Sequence, residues 1–141
     1  MEKRQALFLD RDGTLVHPGR YPSRPEDLHL YDGIGPELRV LQKAGFRLVI
    51  ITNQAGIARG YFTEADLQRM HAYLTSELAR LGVHLDGIYY CPHHIEGVIP
   101  EFAIRCNCRK PGWPIASDCI PDPAWAPGSC RIPAGSCRRS K

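Results

Sequence analysis

Two clusters of side chains in this sequence could do chemistry. Asp10-Arg11-Asp12-Gly13-Thr14 sets two carboxylates two residues apart, followed by a glycine that lets the backbone turn tightly behind them. Such a pair can share one hard cation such as magnesium, with the first carboxylate acting as nucleophile and the second as acid and base. The plainer alternatives are an ordinary Asp-Gly turn or half of a calcium loop; the apolar run in front and the lack of further Asp or Asn ligands argue against calcium. The second cluster is Cys91-Pro92-His93 with Cys106-Asn107-Cys108, three sulfurs and one imidazole in two tight pairs, with twelve residues between His93 and Cys106. Such pairs suit tetrahedral zinc, although one-residue spacing is tighter than the usual zinc-finger spacing. His94 is an alternative to His93, and unligated thiols beside a surface histidine are the plain reading.

The elements that must position these clusters follow from the hydrophobic pattern. Ala6-Leu7-Phe8-Leu9 is a short apolar run ending at Asp10, which suits a buried parallel strand. Residues 16 to 35, with Gly, Pro, Ser and His and little period, read as a long loop. Pro36, Leu38, Leu41, Ala44 and Gly45 describe a short amphipathic helix with its stop. Phe46 to Ile51 predicts a second strand running into Thr52-Asn53-Gln54. Thr63 as N-cap, Asp66 three residues on, and Leu67, Met70, Leu74, Leu78 and Leu81 before Gly82 predict a helix of about five turns. Ile88-Tyr89-Tyr90 is a third strand leading into Cys91. This alternation predicts an α/β fold, a Rossmann-like parallel sheet with helices on both faces, and a site beyond the carboxyl ends of its strands.

Composition bounds the rest. The 141 residues are 43% hydrophobic and 23% charged, a one-domain profile, and the net charge of +3 is spread along the chain, so no nucleic-acid partner is expected. No apolar run is long enough for a membrane span, and Met1 to Gln5 lead straight into the first strand without a signal-peptide core, so a cytoplasmic protein is expected. In that compartment metal binding is a better use of six cysteines than disulfides. Six of the twelve prolines and three of the six cysteines fall in residues 111–141, so a body, 1–110, is expected to precede a tail without fixed structure.

Phe8-Leu9-Asp10-Arg11-Asp12-Gly13-Thr14-Leu15 resembles the first motif of the haloacid dehalogenase superfamily of phosphohydrolases, and Ile51-Thr52-Asn53-Gln54 resembles its second. With the Cys and His pattern, the resemblance narrows to the heptose-bisphosphate phosphatase and histidinol-phosphatase branch, over residues 5 to 111. It implies phosphomonoester hydrolysis of a phosphorylated sugar through an aspartyl-phosphate: Asp10 attacks phosphorus, and Asp12 protonates the leaving alkoxide and then activates water. Mg²⁺ held by Asp10 and Asp12, the Thr52 hydroxyl and the Lys110 ammonium would neutralise the phosphoryl oxygens. The resemblance makes Arg11, Asn53, Gln54 and Arg109 substrate contacts, and Cys91, His93, Cys106 and Cys108 a structural Zn²⁺ site in the loop 91–108. His17, Arg20 and Tyr21 fall in the family's early substrate-contacting segment. Histidinol phosphate is the alternative substrate, and a zinc-stabilised binding remnant without turnover is the reading from another class.

The family continues after its third motif with a helix, a strand and a Gly-Asp motif that completes the magnesium site, and no such pattern follows Pro111. Asp118 and Asp122, flanked by prolines, are not expected to substitute, and the tail reads like a frameshifted or artificially ended frame. The C-terminal part of the sheet is therefore expected to be missing, leaving the first strand as an open edge and the chain a monomer unless that edge pairs. Two further features read as structural: Gly33-Ile34-Gly35 lacks the third glycine of a dinucleotide fingerprint, and His71 is expected to be an ordinary surface or boundary histidine of the long helix.

Overall fold

The computed structural model describes residues 5–106, 109–110 and 138–141. Chain order is β1 (Ala6–Leu9), α1 (Ile34–Lys43), β2 (Arg47–Asn53), α2 (Glu64–Arg80), β3 (Gly87–Cys91) and β4 (Arg138–Arg139). The strands lie side by side in that order, β1, β2 and β3 parallel and β4 antiparallel to β3. The parallel α/β sheet expected from the strand-helix alternation is present.

Each element follows from local chemistry. Gly13 turns the chain after β1 with φ +83°, where a side chain would be strained. The long loop is partly ordered: Val16 bridges to both Asp12 and Leu30, and Pro25–Asp27 form one 3-10 turn. Helix α1 starts two residues before Pro36, which sits in the first turn where its missing N–H costs nothing. Strand β2 runs past Ile51 through Thr52 and Asn53, because these pair with Tyr90 and Cys91 in the ladder. At the start of α2, Thr63 Oγ1 accepts from the Asp66 N–H at 3.1 Å and the Asp66 carboxylate accepts from the Thr63 N–H at 2.8 Å, the expected reciprocal cap.

Alternation along the strands sorts the core into two faces. Leu7, Leu9, Leu48, Ile50, Ile88 and Tyr90 share one cluster with Leu38 of α1 and Leu67, Met70, Leu74 and Leu78 of α2. Val49, Ile51 and Tyr89 point the other way and are buried outside that cluster. Helices were expected on both faces; among the described residues both pack on one, because the two crossovers run in the same direction across the sheet and share a hand. Gly35 lets them meet: a Cβ there would lie 2.9 Å from Leu81 Cβ. Leu81, expected in the stripe, is the C-cap residue and 42% exposed.

Arg47, the polar residue inside a strand-like run, is explained at the opposite end of the sheet from the candidate site. Its Nη1 lies 2.9 Å from Asp86 Oδ1, while Asp86 Oδ2 accepts from the Leu48 N–H at 2.8 Å. The buried carboxylate thereby ties the start of β3 to β2.

The expectation of an unstructured tail is corrected for its last residues. Arg138 and Arg139 pair with Tyr90 and Tyr89, the Ser140 N–H donates to the Ile88 carbonyl at 2.8 Å, and Arg138 Nη1 lies 2.7 Å from Glu64 Oε2. The open edge of β3 offers backbone partners, and two residues are too few to show a period in sequence. The remainder of the tail, including Cys119, Cys130 and Cys137, lies outside the described residues. On the other side, β1 pairs only with β2 among the described strands, as expected for an open edge.

Candidate active site

The register places the carboxyl ends of the three parallel strands together, with Leu9 opposite Ile50 and Asn53 opposite Cys91. Asp10, Thr52, Asn53 and Cys91 therefore emerge at one edge of the sheet. Lys110 joins them from a distant part of the chain. Its Nζ lies 3.1 Å from Asp10 Oδ1 and donates to the Ile51 carbonyl at 3.1 Å. Asn53 holds its backbone from both sides: the Lys110 N–H donates to Asn53 Oδ1 at 3.0 Å and Asn53 Nδ2 donates to the Lys110 carbonyl at 3.4 Å.

The two carboxylates have different surroundings. Asp10 is half exposed; Oδ1 takes the Lys110 ammonium and the Arg11 N–H at 2.9 Å, and among the described residues Oδ2 accepts no hydrogen bond. Asp12 is gripped on both oxygens, by Arg11 Nε on Oδ1 and Nη2 on Oδ2, each at 3.0 Å, and by Gln54 Nε2 on Oδ2 at 3.3 Å. A forked guanidinium on a carboxylate fixes its orientation as well as its charge. Thr52 is buried, and its Oγ1 accepts from Gln54 Nε2 at 2.9 Å, which leaves its hydroxyl proton to give.

Several expected substrate contacts take other roles. Arg11 is fully buried, so its side chain is corrected from a substrate contact to a clamp on Asp12; the two residues are adjacent, and the partly exposed Asp12 carboxylate is its nearest acceptor. Gln54 spends its amide on Asp12, Thr52 and Arg11, and Asn53 spends its own on Lys110. Arg109 borders a cleft of ≈ 420 Å³ beside Asp12, Arg20, Tyr21, Asn53 and Gln54. Its buried Nη1 has no hydrogen-bond partner among the described residues, and a buried N–H in that state calls for an acceptor.

Tyr21 is the one non-glycine residue with positive φ among those described, at 52°, a conformation that costs about 1–2 kcal/mol. Its ring lies 4.7 Å from that of Tyr61. His17 rests instead on Tyr31, with ring centroids 4.0 Å apart. His71 departs most from expectation. It is buried rather than at the helix surface, with Nε2 3.3 Å from Arg11 Nη1. Only its place beside the apolar stripe of α2 could have signalled this.

Magnesium can be tested against these donors. It commonly takes one or two carboxylates and keeps several waters, and the open Oδ2 of half-exposed Asp10 suits that habit. Among the described residues no third acidic side chain joins Asp10 and Asp12 in a donor cluster. The donor set for zinc is more complete. Cys91 Sγ lies 3.4 Å from Cys106 Sγ and 3.9 Å from His93 Nδ1, and all three ligand atoms lie within 4.8 Å of one another. Zn–S bonds of about 2.3 Å put tetrahedral ligand atoms roughly 3.5–4 Å apart, so the fit is good. Cys108, expected as the fourth ligand, lies outside the described residues. His94 is not in the cluster, and its Nδ1 accepts from the Glu96 N–H at 3.1 Å.

Known proteins share this arrangement of elements. No family model matches the chain. A D-glycero-beta-D-manno-heptose-1,7-bisphosphate 7-phosphatase from Escherichia coli is 48% identical over 106 residues, covering 75% of this chain and 56% of the relative. A protein from Mesorhizobium loti described as a HAD-like phosphatase superposes with TM-score 0.72 and 38% identity, over 77% of this chain and 52% of that one. Over the matched residues the chain is similar in sequence and fold to haloacid dehalogenase-like phosphatases. D,D-heptose 1,7-bisphosphate phosphatase from B. bronchiseptica, complexed with magnesium and phosphate, superposes with TM-score 0.66 and 31% identity, over 77% and 57%. The chain spans just over half the length of the relatives it matches. No helix among its described residues is long and apolar enough to cross a membrane.

Proposed function

We propose that this chain carries the phosphoryl-transfer half of a sugar-bisphosphate phosphatase, with the 7-phosphate of D-glycero-D-manno-heptose 1,7-bisphosphate as substrate. The observation that carries the reading is Asp10, half exposed at the end of β1 with the Lys110 ammonium on one carboxylate oxygen and the other oxygen open. The name of the 48% identical relative supports the substrate. No observation favours histidinol phosphate.

In this reading Asp10 Oδ2 attacks phosphorus, the ester P–O bond breaks, and the sugar alkoxide takes a proton from Asp12. The Asp10 phosphoanhydride is then cleaved by water whose proton passes to Asp12, releasing phosphate and restoring the Asp10 carboxylate and the protonated Asp12. Lys110 and the Thr52 hydroxyl supply positive charge and a donor to the phosphoryl oxygens, a role that needs no reorganisation because Asn53 and Gln54 hold both in place. Arg109 offers its unpartnered Nη1 to an anionic substrate group in the cleft. Mg²⁺, bound by Asp10 and the Asp12 backbone carbonyl, would neutralise charge on the phosphate as it transfers. Zn²⁺ on Cys91, His93, Cys106 and Cys108 would pin the loop that delivers Arg109 and Lys110, with no open position for chemistry.

The test is phosphate release from heptose 1,7-bisphosphate by the full chain with and without magnesium. Release that requires magnesium and falls to background in Asp10→Asn is expected. A folded, zinc-loaded sample that binds substrate but releases nothing would replace this reading by that of a binding remnant.

A further inference from the structure

Arg11 holds Asp12, and the structure shows what holds Arg11. Three of its nitrogens face fixed acceptors: Nε and Nη2 lie on the two Asp12 oxygens, Nη2 also donates to Gln54 Oε1 at 3.3 Å, and Nη1 faces His71 Nε2 at 3.3 Å. A guanidinium has donors only, so His71 must present its lone pair at Nε2 and carry its proton on Nδ1. That nitrogen lies 2.5 Å from Ser140 Oγ, to which it donates. The backbone supports the same arrangement, since Ser140 is itself anchored through its N–H to the Ile88 carbonyl and Thr75 Oγ1 donates to the His71 carbonyl at 2.8 Å.

We propose that His71 is a positioning residue for Asp12, acting through Arg11: by accepting from Nη1 it holds the guanidinium plane in which Nε and Nη2 meet both carboxylate oxygens. The inference rests on Asp12 being the acid and base of the reaction proposed above. The terminal torsion of an Asp side chain is soft, so the orientation of its oxygens is set by whatever grips them. Without the His71 acceptor, a buried Arg11 N–H loses its partner, which is unfavourable. Turning the fork away from Asp12 would relieve it. Burial and the Arg11 charge push the imidazole pKa down to about 3, so the accepting, neutral form is the one present near neutral pH. The last residues of the chain thereby reach the active site along the path Ser140, His71, Arg11, Asp12.

The experiment compares the full chain with His71→Leu, which fills the space without an acceptor, and His71→Gln, which restores one; thermal unfolding is measured first to confirm that each folds. With heptose 1,7-bisphosphate and magnesium, His71→Leu is expected to lower kcat about 10- to 100-fold, the range found when a supporting hydrogen bond to a catalytic group is removed. KM is expected to stay within about two-fold, and His71→Gln to recover most of kcat. A His71→Leu enzyme with wild-type kcat, or a loss that Gln does not recover, would overturn the proposal.

A second arm needs no turnover and so separates this inference from the phosphatase reading. In ¹⁵N-labelled wild-type chain, the His71 Nδ1 is expected to be protonated and Nε2 bare, and the Arg11 Nε–H to exchange slowly. His71→Leu should speed that exchange about ten-fold and His71→Gln slow it again. A protonated Nε2 in the wild type overturns the proposal whatever the variants do, including a Leu variant that fails to fold. Equal protection of the Arg11 Nε–H in wild type and His71→Leu does the same in a chain that releases no phosphate.

Discussion

Asp10 and Asp12 are the same side chain two residues apart, and their neighbours assign them different work. Asp10 has one oxygen on an ammonium and one open; Asp12 has both oxygens in the Arg11 fork. In the proposed reaction a nucleophile needs an accessible lone pair and a proton carrier needs a fixed direction, and these contacts are what support the proposed order of roles. Lys110 is the residue whose removal should be most informative. Lys110→Ala is expected to lower kcat for phosphate release about 10²- to 10³-fold, the scale for losing one preorganised charge, while Arg109→Ala is expected to act mainly on KM; steady-state kinetics of the two variants checks both. The pairing of Asp10 with Lys110 was readable only through the family resemblance, because a hundred residues separate them. The burial of Arg11 was not readable at all, since nothing in Asp-Arg-Asp tells which way the middle side chain turns.

Helix α2 and the loop after β3 carry the elements' share of the site. The Thr63 cap holds the start of α2, from which Glu64 reaches both Tyr90 and Arg138. Thr63→Ala is expected to destabilise the chain by about 1 kcal/mol, read as a lower urea midpoint with unchanged slope. The cap and the apolar stripe were legible because both are local, set by residues three or four apart. The metal loop was legible in part: Cys91, His93 and Cys106 converge as their spacing suggested, but spacing alone did not choose between His93 and His94. One zinc per chain is expected by elemental analysis, lost in Cys91→Ser and kept in His94→Ala. Stripping the metal should raise KM more than it lowers kcat, since it frees the loop bearing Arg109 without touching Asp10.

At the scale of the whole molecule, the buried histidine couples stability to pH. Its pKa falls from the ordinary 6.5 to about 3 on folding, through burial and the Arg11 charge. Between those values the unfolded chain binds a proton that the folded chain does not, so stability rises with pH through this window and is lost as pH falls below 6.5. One such group contributes a slope approaching about 1.4 kcal/mol per pH unit. Urea midpoints at pH 7, 6 and 5 should fall more steeply for the wild type than for His71→Gln. The amino-acid sequence by itself determined the strand and helix order, the cap of α2, the sites of the two chemical clusters and the edge of the sheet at which they lie. All of these depend on short-range periodicity or on the rule that parallel strands deliver their loops to one side. Tertiary structure alone decided that both described helices share a face, that Asp86 ties β2 to β3, that Arg138 and Arg139 add a strand, and that His71 reaches Arg11. These are meetings of residues dozens of positions apart, settled by which buried donor finds which acceptor once the core has closed, and no local pattern records them.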